Sequence, residues 1–134
     1  MPLHHIGFEV RDFDQSLQWY AKALSPIGYS ITNDFEHGPV KVGSVGSSRE
    51  DSPLWISKGV PGKTNFGQLH LAFNTNSHSV VNEFHKAGLA AGGECNGPPG
   101  PRPQYHEHYY AAFVRDPDGN NVEVVCHDPE GGSR

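Results

Sequence analysis

The chain has 134 residues, of which 35% are hydrophobic, with a formal net charge of −5 and nine histidines. That length and apolar content suffice for a single domain with its own core and exclude a disordered chain. There is no cluster of Lys and Arg and no apolar run near the ~20 residues that cross a bilayer, so neither nucleic acid nor a membrane is an expected partner.

The two cysteines, Cys95 and Cys126, are too few for a disulfide framework. With an opening segment that lacks the pattern of a signal peptide, they point to a reducing, cytoplasmic compartment and to packing roles for both thiols. Residues 3–10 alternate with period two and predict a strand whose apolar face is Ile6, Phe8 and Val10. Asp12 stands where a helix N-cap belongs, and residues 13–24 follow at helical spacing, with Leu17, Tyr20 and Leu24 as the buried stripe. Pro26 and Gly28 end that helix, and residues 29–35, 40–45 and 53–57 are short strand candidates. Residues 59–67 then form a Gly-rich linker.

After the linker the pattern restarts. Residues 68–75 predict a strand with Leu69, Leu71 and Phe73 on one face, and residues 77–90 a helix stopped by Gly92-Gly93. A Pro/Gly loop over 96–103 leads to a hairpin of strands 109–115 and 121–127, turning at Asp116-Pro117-Asp118-Gly119. The tail from 128 is polar and is expected to fray. His5-Ile6-Gly7-Phe8 lines up with His70-Leu71-Ala72-Phe73, and Trp19 with Phe84. The reading is an α+β fold in one domain, 1–134. Two βαβββ modules, 1–60 and 61–134, form a cupped, half-open barrel-like sheet with the helices outside.

Strand parity selects the candidate site. Neighbouring strand residues point to opposite faces, so His5, Gly7 and Glu9 face away from the first helix. His70 and Ala72 do so in the fifth strand, and Glu123 in the last. His5, His70 and Glu123 can share one concavity, with Gly7 and Ala72 leaving room for a ligand. Two imidazoles and a carboxylate from separate strands make a facial donor set for one divalent metal ion, with Fe, Mn, Zn, Ni and Co all suited to it. Trp55, Tyr109 and Glu9 are candidates to line a substrate pocket. The loop from Arg102 through Tyr105 and His106 reads two ways. In one, Arg102 anchors an anion and Tyr105 or His106 moves protons or adds a metal ligand; in the other, a proline-stiffened connection merely packs its rings.

His5-Ile6-Gly7-Phe8-Glu9-Val10-x-Asp12, Trp19-Tyr20, and Ala112-Phe113-Val114-x-Asp116-Pro117-Asp118-Gly119-Asn120-x-Val122-Glu123 resemble the vicinal oxygen chelate superfamily. This group takes in glyoxalase I, fosfomycin- and bleomycin-resistance proteins and extradiol dioxygenases. The resemblance implies metal ligands at His5, His70 and Glu123, a small-molecule substrate and a homodimer. It also implies a departure. Glyoxalase I has a metal-binding, proton-moving glutamate on the last strand of its first half, whereas Pro53-Leu54-Trp55-Ile56-Ser57 offers no carboxylate. The remaining His-His-Glu set resembles that of the fosfomycin thiol transferases and the extradiol dioxygenases, while a metal-free binding protein of the bleomycin-resistance kind is the alternative.

Overall fold

The computed structural model describes residues 2–129, so most of the expected polar tail lies outside the described residues. The first module runs β1 (Ile6–Val10), α1 (Phe13–Ala23), a 3-10 turn (Ser25–Ile27), β2 (Ser30–His37), β3 (Val40–Gly46) and β4 (Leu54–Lys58). The second repeats it as β5 (His70–Thr75), α2 (His78–Ala90), β6 (Glu94–Pro101), β7 (Tyr110–Arg115) and β8 (Asn121–Cys126). Each module makes a four-stranded mixed sheet, ordered β1-β4-β3-β2 and β5-β8-β7-β6, and no closed barrel forms. Among the described residues no helix is long and apolar enough to cross a membrane.

Local chemistry fixes the helix ends. The Asp12 side chain accepts a hydrogen bond from the Gln15 amide at 3.1 Å, and Ser77 does the same for the Val80 amide at 3.3 Å, each satisfying a donor the helix itself leaves open. Both helices press on the same side of their sheets. A Cβ on Gly43 would lie 2.9 Å from Leu17 Cδ2 and 3.1 Å from Phe13 Cζ, so α1 rides directly on β3. Leu17, Tyr20, Leu54, Ile56, Val81, Phe84, Val122 and Val124 belong to one continuous core that crosses from one module to the other. Trp19 and Phe84, matched by the repeat, are both buried in it. The Trp19 indole N–H donates to the Gly88 carbonyl at 3.1 Å, which ties α1 to α2.

Three expectations are corrected. Residues 96–103 are not a plain Pro/Gly loop, since residues 94–101 form β6. That strand is the outer edge of its sheet, and its pairing with β7 slips between Cys95 and Gly97 and again between Gly97 and Gly100. An edge with bulges is where prolines that cannot donate to a ladder are tolerated. The first strand starts at Ile6 rather than Leu3, which leaves His5 just outside it. Cys126 packs in the core as expected, but Cys95 is exposed on the edge strand, its Sγ 3.1 Å from His85 Nε2.

The hairpin turn between β7 and β8 joins the modules. Asp116 is 4% exposed. Its Oδ1 accepts from the amides of Asp118 and Asn120 at 2.9 and 2.8 Å. Its Oδ2 accepts from the Asn120 side-chain amide at 2.7 Å and from the Tyr20 hydroxyl of α1 at 2.5 Å. Asn120 in turn accepts from the Leu69 amide at 2.9 Å, and Asp118 from the Arg11 amide at 3.0 Å. Asp116→Ala leaves several buried donors without an acceptor and is expected to cost on the order of 3 kcal/mol, read as a lower denaturation midpoint at unchanged m value. Burial, and then the neighbouring Asp116 charge, raises the Tyr20 phenol well above its ordinary 10.0. The folded state keeps that proton after the unfolded chain has lost it, so this stability is complete below pH about 10 and falls as pH rises past it. Tyr20→Phe is expected to show a shallower alkaline loss of stability than the unaltered protein.

Candidate functional site

The strand registers show which residues stand opposite one another in the two sheets. Gly7 lies opposite Trp55 across β1 and β4, and Ala72 lies opposite Glu123 across β5 and β8. A Cβ on Gly7 would meet the Trp55 Cβ at 3.7 Å, so both share the face turned away from α1. The two modules therefore place Trp55 and Glu123 at equivalent positions. What is a carboxylate in the second sheet is an indole in the first.

Glu123 is the polar centre of its sheet. It is 2% exposed, flanked across the strands by Ala72 and Phe113, and it shares its face with the buried Ala111 and Val125. A carboxylate so enclosed has to be bonded, and both oxygens are. His70 Nε2 lies 2.9 Å from Oε1, and the Tyr109 hydroxyl donates a short hydrogen bond to Oε2. Burial first, and then the bond to Glu123, pushes the Tyr109 phenol far above the usual tyrosine range. His70 itself is open, with a side-chain exposure of 56%. It thus forms the accessible lip of a buried acid.

His5 stands on the other wall. A cleft of 580 Å³ runs between the β1 and β5 edges and is lined by His4, His5, Leu54, His70, Ala72 and Phe73, among others. Both predicted histidines border it, yet His5 is turned to its own module. Its Nδ1 is 2.7 Å from His4 Nδ1, and its ring meets Trp55 edge-on at 6.4 Å. Among the described residues no three His, Cys, Asp or Glu side chains come together to hold a metal. His70 and Glu123 do fit one: their facing atoms have the spacing of two ligands at right angles on a first-row ion, about 2.9 Å for bonds of 2.0–2.1 Å. The chain thus brings His70 and Glu123 together, with His5 at another part of the cleft lining.

The remaining candidates divide between the two modules. Glu9 pairs with Lys63 of the linker at 3.9 Å. Arg102 turns its guanidinium back onto β6, donating to the Gly100 and Pro98 carbonyls at 2.8 and 2.7 Å and lying 5.4 Å from the Phe113 ring. Its amide donates to the Tyr109 carbonyl at 2.7 Å, closing the stem of the loop. Tyr105 and His106 lie at the exposed tip, and both rings meet Tyr109 edge-on at 5.0 Å. Sequence reasoning missed two partners, the Tyr109 bond to Glu123 and the approach of His127 to His106 at 2.9 Å. The second was within reach of parity, because 121, 123, 125 and 127 alternate onto one face.

A sequence model of the Glyoxalase/Bleomycin resistance protein/Dioxygenase superfamily matches residues 2–124. Among solved structures, a glyoxylase/bleomycin resistance protein/dioxygenase domain from Frankia sp. superposes with a TM-score of 0.73 at 19% identity, covering 94% of this chain and 97% of that one. A glyoxalase/bleomycin resistance protein from Albidiferax ferrireducens gives 0.72 at 26% identity over 91% and 96% of the two chains. A glyoxalase I mutant from Zea mays gives 0.74 at 25% identity, and there this chain, covered over 94%, spans 47% of its relative. No curated protein matches the sequence.

Tyr109→Phe removes one of the two partners of a buried carboxylate and is expected to cost roughly 1–3 kcal/mol. Denaturation midpoints of the two proteins measure it; an unchanged midpoint would mean that Glu123 does not depend on the phenol.

Proposed function

Because the chain belongs to the Glyoxalase/Bleomycin resistance protein/Dioxygenase superfamily, we propose that the cleft between β1 and β5 is the site of a metal-dependent enzyme acting on a small, oxygen-rich substrate. The reaction is of lyase, thiol-transferase or dioxygenase type. The observation that carries this reading is the buried Glu123 carboxylate bonded to His70 at the cleft wall. His70 and Glu123 would hold the ion, and His5 would complete the set by closure of the cleft or from a second copy of the chain in a homodimer. The ion, Fe, Mn, Zn, Ni or Co, would supply Lewis-acid polarisation of an oxygen-rich substrate.

The chain's own groups define the rest. Ala72 and Gly7 keep the space beside the histidines open. Tyr109 holds its proton firmly and can only donate, so it orients Glu123 rather than acting as a base. Trp55 stands where a second carboxylate would move protons, so the first module walls the substrate without acid–base chemistry. The loop with Arg102, Tyr105 and His106 closes the substrate side, Arg102 by fixing its stem. Purified protein is expected to bind about one equivalent of Zn²⁺ or Co²⁺ in the cleft, weakened roughly tenfold or more in His70→Ala and Glu123→Gln. Equal affinity in all three proteins would overturn the reading.

A second reading has its own support. Trp55 and Phe35 meet edge-on at 6.4 Å on the half-open face of the first sheet, a wall suited to a flat apolar ligand held without metal. In that case a planar aromatic probe quenches Trp55 fluorescence equally with and without chelator, with Trp19, buried in the core, as an unchanging background. Quenching abolished by chelation would favour the enzyme.

A further inference from the structure

Beyond Tyr109, at the far end of β8, two imidazoles meet outside the cleft. His106 Nε2, on the 102–109 loop, lies 2.9 Å from His127 Nδ1, and the rings are within 17° of parallel. The tautomer of His106 follows from its other side, where Nδ1 is 2.6 Å from the Glu107 carbonyl oxygen. A carbonyl only accepts, so Nδ1 carries the hydrogen and the neutral ring presents a bare lone pair at Nε2. An imidazole whose second nitrogen is fixed on a backbone carbonyl is the arrangement found behind metal-ligating histidines. Both rings are exposed, so a cation can arrive from solvent and keep its remaining positions for water.

We propose that His106 and His127 form a two-imidazole chelate for a late first-row divalent cation, copper(II) or nickel(II), that clips the 102–109 loop to the end of β8. Nitrogens bound at about 2.0–2.1 Å lie about 2.9 Å apart when they subtend a right angle and about 3.4 Å apart at a tetrahedral angle. The hydrogen-bonded pair already stands within reach of the right-angle separation, and two imidazoles at a right angle suit the tetragonal geometry of copper(II) and nickel(II). For binding, His127 moves its proton to Nε2, the other neutral tautomer, and small turns about the two Cβ–Cγ bonds aim both lone pairs at one ion. The same loop contributes Tyr109 to Glu123, so the clip also steadies that bond. The inference does not rest on a metal at His70 and Glu123.

The test is equilibrium dialysis of the metal-stripped full-length chain against Ni²⁺, comparing the unaltered protein with His106→Ala, His127→Ala, His70→Ala and Glu123→Gln. The chelate predicts one Ni²⁺ equivalent whose affinity falls roughly tenfold or more in both His106→Ala and His127→Ala and persists in His70→Ala and Glu123→Gln. Unchanged binding in His106→Ala and His127→Ala overturns it, as does a loss in only one of them. An equivalent lost only in His70→Ala and Glu123→Gln overturns it too while leaving the cleft metal standing. Both imidazoles are exposed, and His106 lies in a loop, so thermal melts of these variants are expected to match that of the unaltered protein.

Discussion

A buried carboxylate at a hairpin turn ties the two halves of this molecule together by polar bonds, over the apolar core that they share. Asp116 takes its donors from its own turn and from Tyr20 of the opposite module. The residues beside it extend the junction, Asn120 to the start of β5 and Asp118 to the end of β1. Charge-assisted bonds to a desolvated carboxylate are among the stronger polar interactions, and they are costly to leave half-made. The turn therefore fixes more than a hairpin. Together with the packing of the modules it positions β1 against β5, and the cleft is the space between those edges.

Within that frame the repeat is broken at one pair of equivalent positions. Both modules pair a small residue on the first strand with a large one on the last, Gly7 with Trp55 and Ala72 with Glu123. Had both large residues been acids, each sheet would carry a carboxylate at this position. With an indole on one side, acidity concentrates in the second module, around Glu123, His70 and Tyr109. The first module is left with aromatic walls. The two modules thus share a fold and differ in chemistry at this position.

Much of this was legible in the sequence because it rests on period-two alternation and turn chemistry, both local signals. The order of strands and helices, the Asp12 cap, the hairpin at 116–119 and the face occupied by His70 and Glu123 all follow from them. The edge strand β6 was not, since Pro98 and Pro99 argue against a strand unless its place at an edge is already known. Nor could alternation say how far His5 stands from His70, because that distance is set by the packing of one module on the other. The exposure of Cys95 has the same origin as β6. Tyr109's bond depended on how a loop folds back, which no periodicity encodes.

The central claim is that Glu123 and His70 form half of a metal centre rather than a self-contained ion pair. Anomalous diffraction from crystals grown with Co²⁺ tests it most directly. The account predicts a peak within about 2.3 Å of both His70 Nε2 and a Glu123 oxygen, with an open position toward Trp55. No peak there, with His70 and Tyr109 still bonded to Glu123 in the presence of the ion, would contradict it.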